Sequence, residues 1–495
     1  MYTFSSRLKT FSFILMIVGV LGIGYSFFTA PKNVEDVEKI LAADSHHDGG
    51  HHAEAAHHDA PATEAHAEVA HAEVAPATVD TTAHAAQDTV HAVATVDTHD
   101  HDHADHAGEA HAEPAHAEDA HAAHAEHQEH LEHVLHQLQN KPWAAVYVAA
   151  LFFMLIALGA LAFYAIQNAA QAGWSPVLFR VMEGISSYLI PGAIIVFLLL
   201  VAGVLGWHHI FIWMDPKVVA EDHLIQGKSG YLNGTFFLIR AAIFMGGWIL
   251  YRQYSRKNSL AQDEATDNSF YKKNFKASAA FLVFFIITES IMSWDWIMSV
   301  DPHWYSTLFG WYVFASFVVS SVTVIAMVTL YLKSKGHLEY VNTSHIHDLA
   351  KFMFGFSVFW TYLWFSQFML IWYANIPEEV TYFVTRIEDY NLPFFGMVVM
   401  NFVFPILILI NTDFKRLSWV VVMAGIIILC GHYMDFFNMI MPATVGDQWF
   451  IGAGEIGAIL FFMGLFILVV FNALSKAPLL AKRNPLIEES KHFHY

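Results

Sequence analysis

The chain has 495 residues, 56% of them hydrophobic and only 14% charged; soluble domains carry about 25% charged residues, so the composition excludes an ordinary water-soluble protein. The net charge of −20 sits in residues 31–141, where 23 Asp and Glu face three Lys, so it marks one segment and gives no ground for a nucleic-acid partner. The single cysteine, Cys430, excludes an internal disulfide, a C-x-x-C pair, a covalent c-type haem and an iron–sulfur cage, which places most redox metals of any electron transfer on other chains.

Arg7 and Lys9 precede an apolar run over 11–30. The run is longer than a secretory signal core, Phe28 breaks the small-residue cleavage pattern, and Pro31 stands where a mature chain would start. A retained anchor is therefore expected over 1–30. The acidic loop 31–141 follows, and its part 46–136 holds 22 of the 32 histidines in an Ala, Glu and Asp background. With few branched or aromatic side chains to bury, most of this segment cannot offset its ordering entropy. The stretch 117–139 is the exception and is expected to form a helix leading into span two. The imidazoles, among them His46, His47, His51 and His52, suit loose divalent-metal binding or proton buffering. A solvated low-complexity spacer is the simpler reading.

Crossing the hydrocarbon core takes about 20 apolar residues at about 1.5 Å each. Ten stretches qualify: 10–30, 143–166, 189–212, 234–251, 277–298, 309–332, 350–373, 393–411, 417–438 and 451–473. With the N-terminus inside, the inner segments hold 18 Lys and Arg and the outer ones six, as the positive-inside rule requires. The expected fold is all-α and integral to the membrane, with ten spans, both termini cytoplasmic and the His-rich loop outside.

Ionisable groups inside the bilayer are costly and mark function by default. Arg240 on span four lies at a depth between Glu289 and Asp295 on the antiparallel span five, so an Arg–carboxylate pair would satisfy all three; a purely structural ion pair is the competing reading. Other titratable groups fall at outer helix ends: His208, His209 and Asp215 after span three, Asp301 and His303 after span five, and Glu378 and Glu379 after span seven. His432 and Asp435 are placed near the outer end of span nine, and Glu455 opens span ten. Singly, each is an interface residue or a stop signal; together they suit proton acceptance near neutral pH. On the inner side, His345, His347 and Asp348 read as a solvated boundary, with a cap or a proton entry as alternatives. Histidines at i, i+2 do not share a helical face, so these two make no preformed metal site.

Three stretches, ESIMSWDWIMSVDPHWYSTLFGWYVFAS (289–316), HIHDLAKFMFGFSVFWTYLWFSQFMLIWYANIPEE (345–379) and CGHYMDFFNMIMP (430–442), resemble the second of the two polysulfide-reductase-like (NrfD-like) membrane subunits of bacterial alternative complex III. That complex is a quinol:electron-acceptor oxidoreductase. The resemblance covers roughly 143–475; the His-rich loop departs from it. It implies two four-helix bundles, 142–300 and 301–440, flanked by span one and by a last span with its tail over 441–495. It also implies an iron–sulfur subunit, c-type haem subunits and a sister NrfD-like subunit as partners, quinol or quinone as the mobile cofactor, and a bacterial inner membrane as location. Quinol-site or proton-path roles would fall on Glu289, Asp295, Asp301, His303, His432 and Asp435. The competing classes are a stand-alone divalent-metal or ion transporter with the His-rich loop as collector, and a structural scaffold of the complex.

Overall fold

Without water to satisfy their peptide groups, apolar runs must close their hydrogen bonds within a helix, and ten do so among the described residues. Spans one to ten are Ser6–Thr29, His127–Ala169, Pro176–Val204, Gly234–Gln262, Ser269–Val300, Phe309–Ser334, Thr343–Ala374, Asn391–Leu409, Ser418–Val445 and Ala453–Leu474. The computed structural model describes residues 2–48 and 115–494, with side chains over 2–42 and 127–494, and among these residues there is no strand. The fold is the expected all-α membrane architecture.

Residues Met1–Val37 and His130–Tyr495 form one unit that holds the packed spans, and Glu38–Glu129 form a second. The described residues of the second unit are mostly helical, in Val34–Asp48 and the start of Ala115–Ala169. The helix expected over 117–139 is thus present. The loop histidines His51 and His52 lie outside the described residues, as do the side chains of His46 and His47.

Span two is the central helix of the first unit, with 94% of its apolar window buried against 11% for span one. Tyr147 on it donates to the Trp296 carbonyl of span five at 2.8 Å, and Ser321 of span six donates to its Ile156 carbonyl at 2.9 Å. Phe152 packs against Tyr433 and Phe436 of span nine. Span six in turn packs on spans five, seven and nine, span four on five, and span eight on nine. Contacts thus run between spans two to five and spans six to nine as well as within them, and the packed spans belong to one unit.

Span one lies along span ten, and glycines set the distance. A Cβ on Gly19 would stand 2.4 Å from the Phe461 nitrogen, and one on Gly457 would stand 2.8 Å from the Ile23 nitrogen. Small residues let membrane helices approach to backbone contact, where dispersion forces hold them. Gly19→Leu is therefore expected to separate the two. A disulfide between cysteines at Ser26 and Gly454 should form at least about tenfold less readily in that variant, because overpacking a close contact is itself destabilising. An unchanged yield would refute backbone contact here.

Of the helix limits that differ from expectation, two bear on candidate residues. Span three stops at Val204 rather than 212 and is built from short 3-10 and α segments before Leu189. Span nine continues past 438 to Val445, through Pro442. Both shifts relocate candidate residues.

Candidate functional site

Because span nine continues to Val445, Asp435 and His432 lie about 15 and 20 Å below its end, at about 1.5 Å per residue, rather than near the outer surface as expected. Separated by one turn, they face the same side of the helix. Neither is exposed at all. Each carboxylate oxygen of Asp435 accepts one hydrogen bond: Oδ1 from the Tyr312 hydroxyl of span six, in a short contact, and Oδ2 from Trp360 Nε1 of span seven at 2.7 Å. His432 Nδ1 stands 3.7 Å from Asp435 Oδ2 and 3.0 Å from Ser316 Oγ of span six. Three helices thus converge on one buried acid and one buried imidazole.

Span eight adds a fourth contact. It carries a π-helical turn over Val399–Val403, just before Pro405. Proline lacks the N–H that would bond the carbonyl four residues back, and such turns re-aim side chains. Asn401, at the centre of this turn, brings its amide nitrogen 3.5 Å from His432 Nδ1. Gly431 permits the approach, since a Cβ there would lie 2.1 Å from Asn401 Oδ1. Gly431→Ala is therefore expected to displace Asn401 and lower thermal stability by about 1–3 kcal/mol; unfolding that matches the parent would show the contact to be slack.

Towards the loop end, Arg386 closes the arrangement. It sits on the amphipathic helix Pro377–Glu388 and is 4% exposed. Pro442 leaves the Asn438 carbonyl without its helical donor, and Arg386 Nε donates to that carbonyl at 2.9 Å. Its guanidinium lies 3.3 Å over the Tyr382 ring, and Tyr382 stacks on Trp304 at 3.9 Å. A cavity of about 10 Å³ between Tyr312, Gln367, Tyr382, Arg386 and Asn438 is close to the size that holds one water. In the other direction, Tyr312, Ser316, Ser320 and Thr323 follow one another along one buried face of span six, a file about 16 Å long. Ser320 Oγ donates to the Ser316 carbonyl at 2.9 Å. Buried atoms without a hydrogen-bond partner recur along this column: Gln367 Oε1, Asn401 Oδ1, His432 Nε2, Thr323 Oγ1 and Ser357 Oγ.

The first bundle is organised differently. Arg240 grips Asp295 with two bonds, Nε at 2.6 Å and Nη2 at 3.1 Å, and its Nη1 donates to the Tyr231 carbonyl. The expected Arg–carboxylate pair is present, but it does not include Glu289. That residue is 1% exposed; its Oε2 accepts from Ser290 at 3.2 Å and its Oε1 has no partner.

The remaining candidates do not share a cavity with Asp435. His208 is buried, with Nε2 at 3.0 Å from the Leu199 carbonyl and Nδ1 accepting from the Ile210 N–H, a pattern that fits the neutral ring. Burial pushes its pKa down. The stability it lends is present above the ordinary histidine value and is lost progressively as pH falls towards the lowered one. His209 is partly exposed beside Asp215. Asp301 accepts from the His303 N–H, and the half-exposed His303 ring meets Asp222 at 2.5 Å. Asp222 caps the helix His223–Lys228, and those backbone N–H bonds and His303 hold its carboxyl below the usual range. Glu455 Oε2 accepts from the Gly452 N–H at the start of span ten. Glu378 and Glu379 stand in the first turn of Pro377–Glu388. The helix ends expected on the outer side therefore hold caps and surface pairs rather than one common layer.

The reading of His345 and His347 as a solvated boundary is also corrected, since both are buried. His345 closes a capping box with Asn342 and lies 3.1 Å from the Ser490 carbonyl of the C-terminal segment. Sequence reasoning missed Arg386 and the file on span six. A lone Arg four residues after Tyr382, and hydroxyls repeating at helical spacing over 312–323, were the available signals. Among the described residues, no three His, Cys, Asp or Glu side chains gather as a metal-holding group.

Compared with known proteins, the chain matches no family model and no curated protein.

Proposed function

We propose that this chain is a membrane subunit of a respiratory quinol:electron-acceptor oxidoreductase of the alternative complex III type, in which its second bundle carries protons. The observation behind this reading is the buried column from Arg386 through Tyr312, Asp435 and His432 to the hydroxyl file of span six. Ionisable groups at that depth are expensive and rarely idle. In this reading the protein lies in the bacterial inner membrane, with both termini cytoplasmic and the His-rich loop periplasmic. Its partners are an iron–sulfur subunit, c-type haem subunits and a sister NrfD-like subunit.

Oxidising a quinol to the quinone releases two protons and two electrons, and the electrons go to metal centres on the partner chains. The column does not fit the quinol itself. Its cavity of about 10 Å³ is far below the roughly 300–1,000 Å³ of pockets that enclose such ligands. No quinol step is assigned to Asp435, and the sister subunit is the better candidate for the ring. What this chain's residues do is hold and pass a proton. The Tyr312 hydroxyl relays a proton to Asp435 Oδ1 by taking one from a water in that cavity as it gives its own, and His432 Nδ1 lies within reach of both Asp435 Oδ2 and Ser316 Oγ.

Purification of the tagged chain from its native membrane tests the class. Haem-bearing chains should co-elute in fixed proportion with quinol oxidation activity. Elution alone, with saturable divalent-metal uptake in vesicles, would overturn the proposal in favour of a transporter. Co-elution with a complex whose proton release ignores the column would leave a scaffold.

A further inference from the structure

At the end of the bundle that carries the C-terminal tail, spans three, four and ten line an open cleft of about 450 Å³ that no proton-path residue borders. Three cations border it, Arg252 and Arg256 one turn apart on span four and Lys476 just past span ten, against one carboxylate, Glu183. Glu183 is already engaged. It accepts from Arg180 at 2.8 Å and from Arg256 in a short contact, while Arg180 also meets Asp263 at 2.6 Å. Among the described residues Arg252 makes no carboxylate ion pair within 4 Å, although Glu183 lies near enough to act on its charge, and its buried Nε makes no hydrogen bond. The lining side chains thus keep two net positive charges. Below the cations the wall turns apolar at Ile190 and Val469. From Ile190 the exposed side chains Ile194 and Leu198 continue at one-turn steps along span three.

Positive charge at the mouth and an apolar track leading away from it match one kind of molecule. We propose that this cleft binds an anionic glycerophospholipid, with the phosphate between Arg252 and Lys476 and an acyl chain along Ile190, Ile194 and Leu198. Basic pockets between membrane helices at the lysine- and arginine-rich side take anionic headgroups in this way. Arginine suits the phosphate because its planar fork presents paired donors. The site is separate from the proton column and does not depend on what the second bundle carries.

Native mass spectrometry of the purified protein, with its partner chains, tests the proposal. The protein is first exchanged into neutral detergent and then titrated with phosphatidylglycerol, phosphatidylcholine or inorganic phosphate. One equivalent of phosphatidylglycerol should bind in preference to phosphatidylcholine. The Arg252→Gln/Lys476→Gln variant should bind it roughly thirtyfold more weakly, as expected for two lost charges near the headgroup. Ile194→Ser should weaken the lipid and leave inorganic phosphate unaffected, which separates a lipid from a free-phosphate site. Arg252→Lys with Lys476→Arg should restore binding and guards against misfolding. Equal uptake of phosphatidylcholine, full binding in the double variant, or binding of inorganic phosphate alone would each overturn the proposal.

Discussion

Asp435→Asn is expected to lower quinol-driven turnover of the assembled complex roughly a hundredfold, the low end of what a placed proton-transfer group contributes. The side chain is held by donors from two helices, Tyr312 and Trp360. An amide oxygen can still accept from Trp360, and the amide nitrogen can donate to the tyrosine oxygen, so the packing survives while the exchangeable proton is lost. Asp435→Leu tests the structural part separately. It leaves both buried donors unsatisfied, at about 1–3 kcal/mol each, and should reduce assembly as well as rate. Steady-state turnover, normalised to haem content, reads the first effect, and thermal unfolding of the complex reads the second. An Asn variant that turns over normally would mean that Asp435 is only a helix clamp.

The second large effect concerns stability alone. Arg240→Met should destabilise the protein by about 3–5 kcal/mol, because it leaves the fully buried Asp295 without its counter-ion. Adding Asp295→Leu should recover most of that loss, since replacing a buried ion pair by apolar groups is often close to neutral. The unfolding midpoint of the single and double variants decides it. Equal losses in both would show that packing against Tyr231 and Phe236, over whose rings the guanidinium lies at 3.9 and 4.3 Å, matters more than charge.

That ion pair was legible in the sequence because its logic is one-dimensional. An Arg at a depth between two carboxylates on an antiparallel helix has few other partners available. The ten spans were legible for the same reason, as length and hydropathy suffice. The depth of His432 and Asp435 was not, because Pro442 reads as a stop while the helix passes through it. Its missing N–H instead frees a carbonyl for Arg386, a residue of the helix Pro377–Glu388 more than fifty positions upstream. Glu289 was assigned to an ion pair by depth, yet among the described residues its carboxylate meets only Ser290. Depth follows from sequence position, whereas the rotation of a helix about its axis depends on neighbours far along the chain. The burial of His345 likewise depends on the C-terminal segment that covers it.

Proton conduction through the second bundle is tested most directly in sealed liposomes that hold the purified complex. Quinol is supplied outside with an electron acceptor, and proton appearance on each side is followed by pH-sensitive dyes per electron transferred. The native complex should move protons beyond those released by quinol oxidation, and Asp435→Asn should abolish that excess while any residual electron flow continues. The same proton-to-electron ratio in both would contradict a path through Asp435 and leave the buried column as a structural feature.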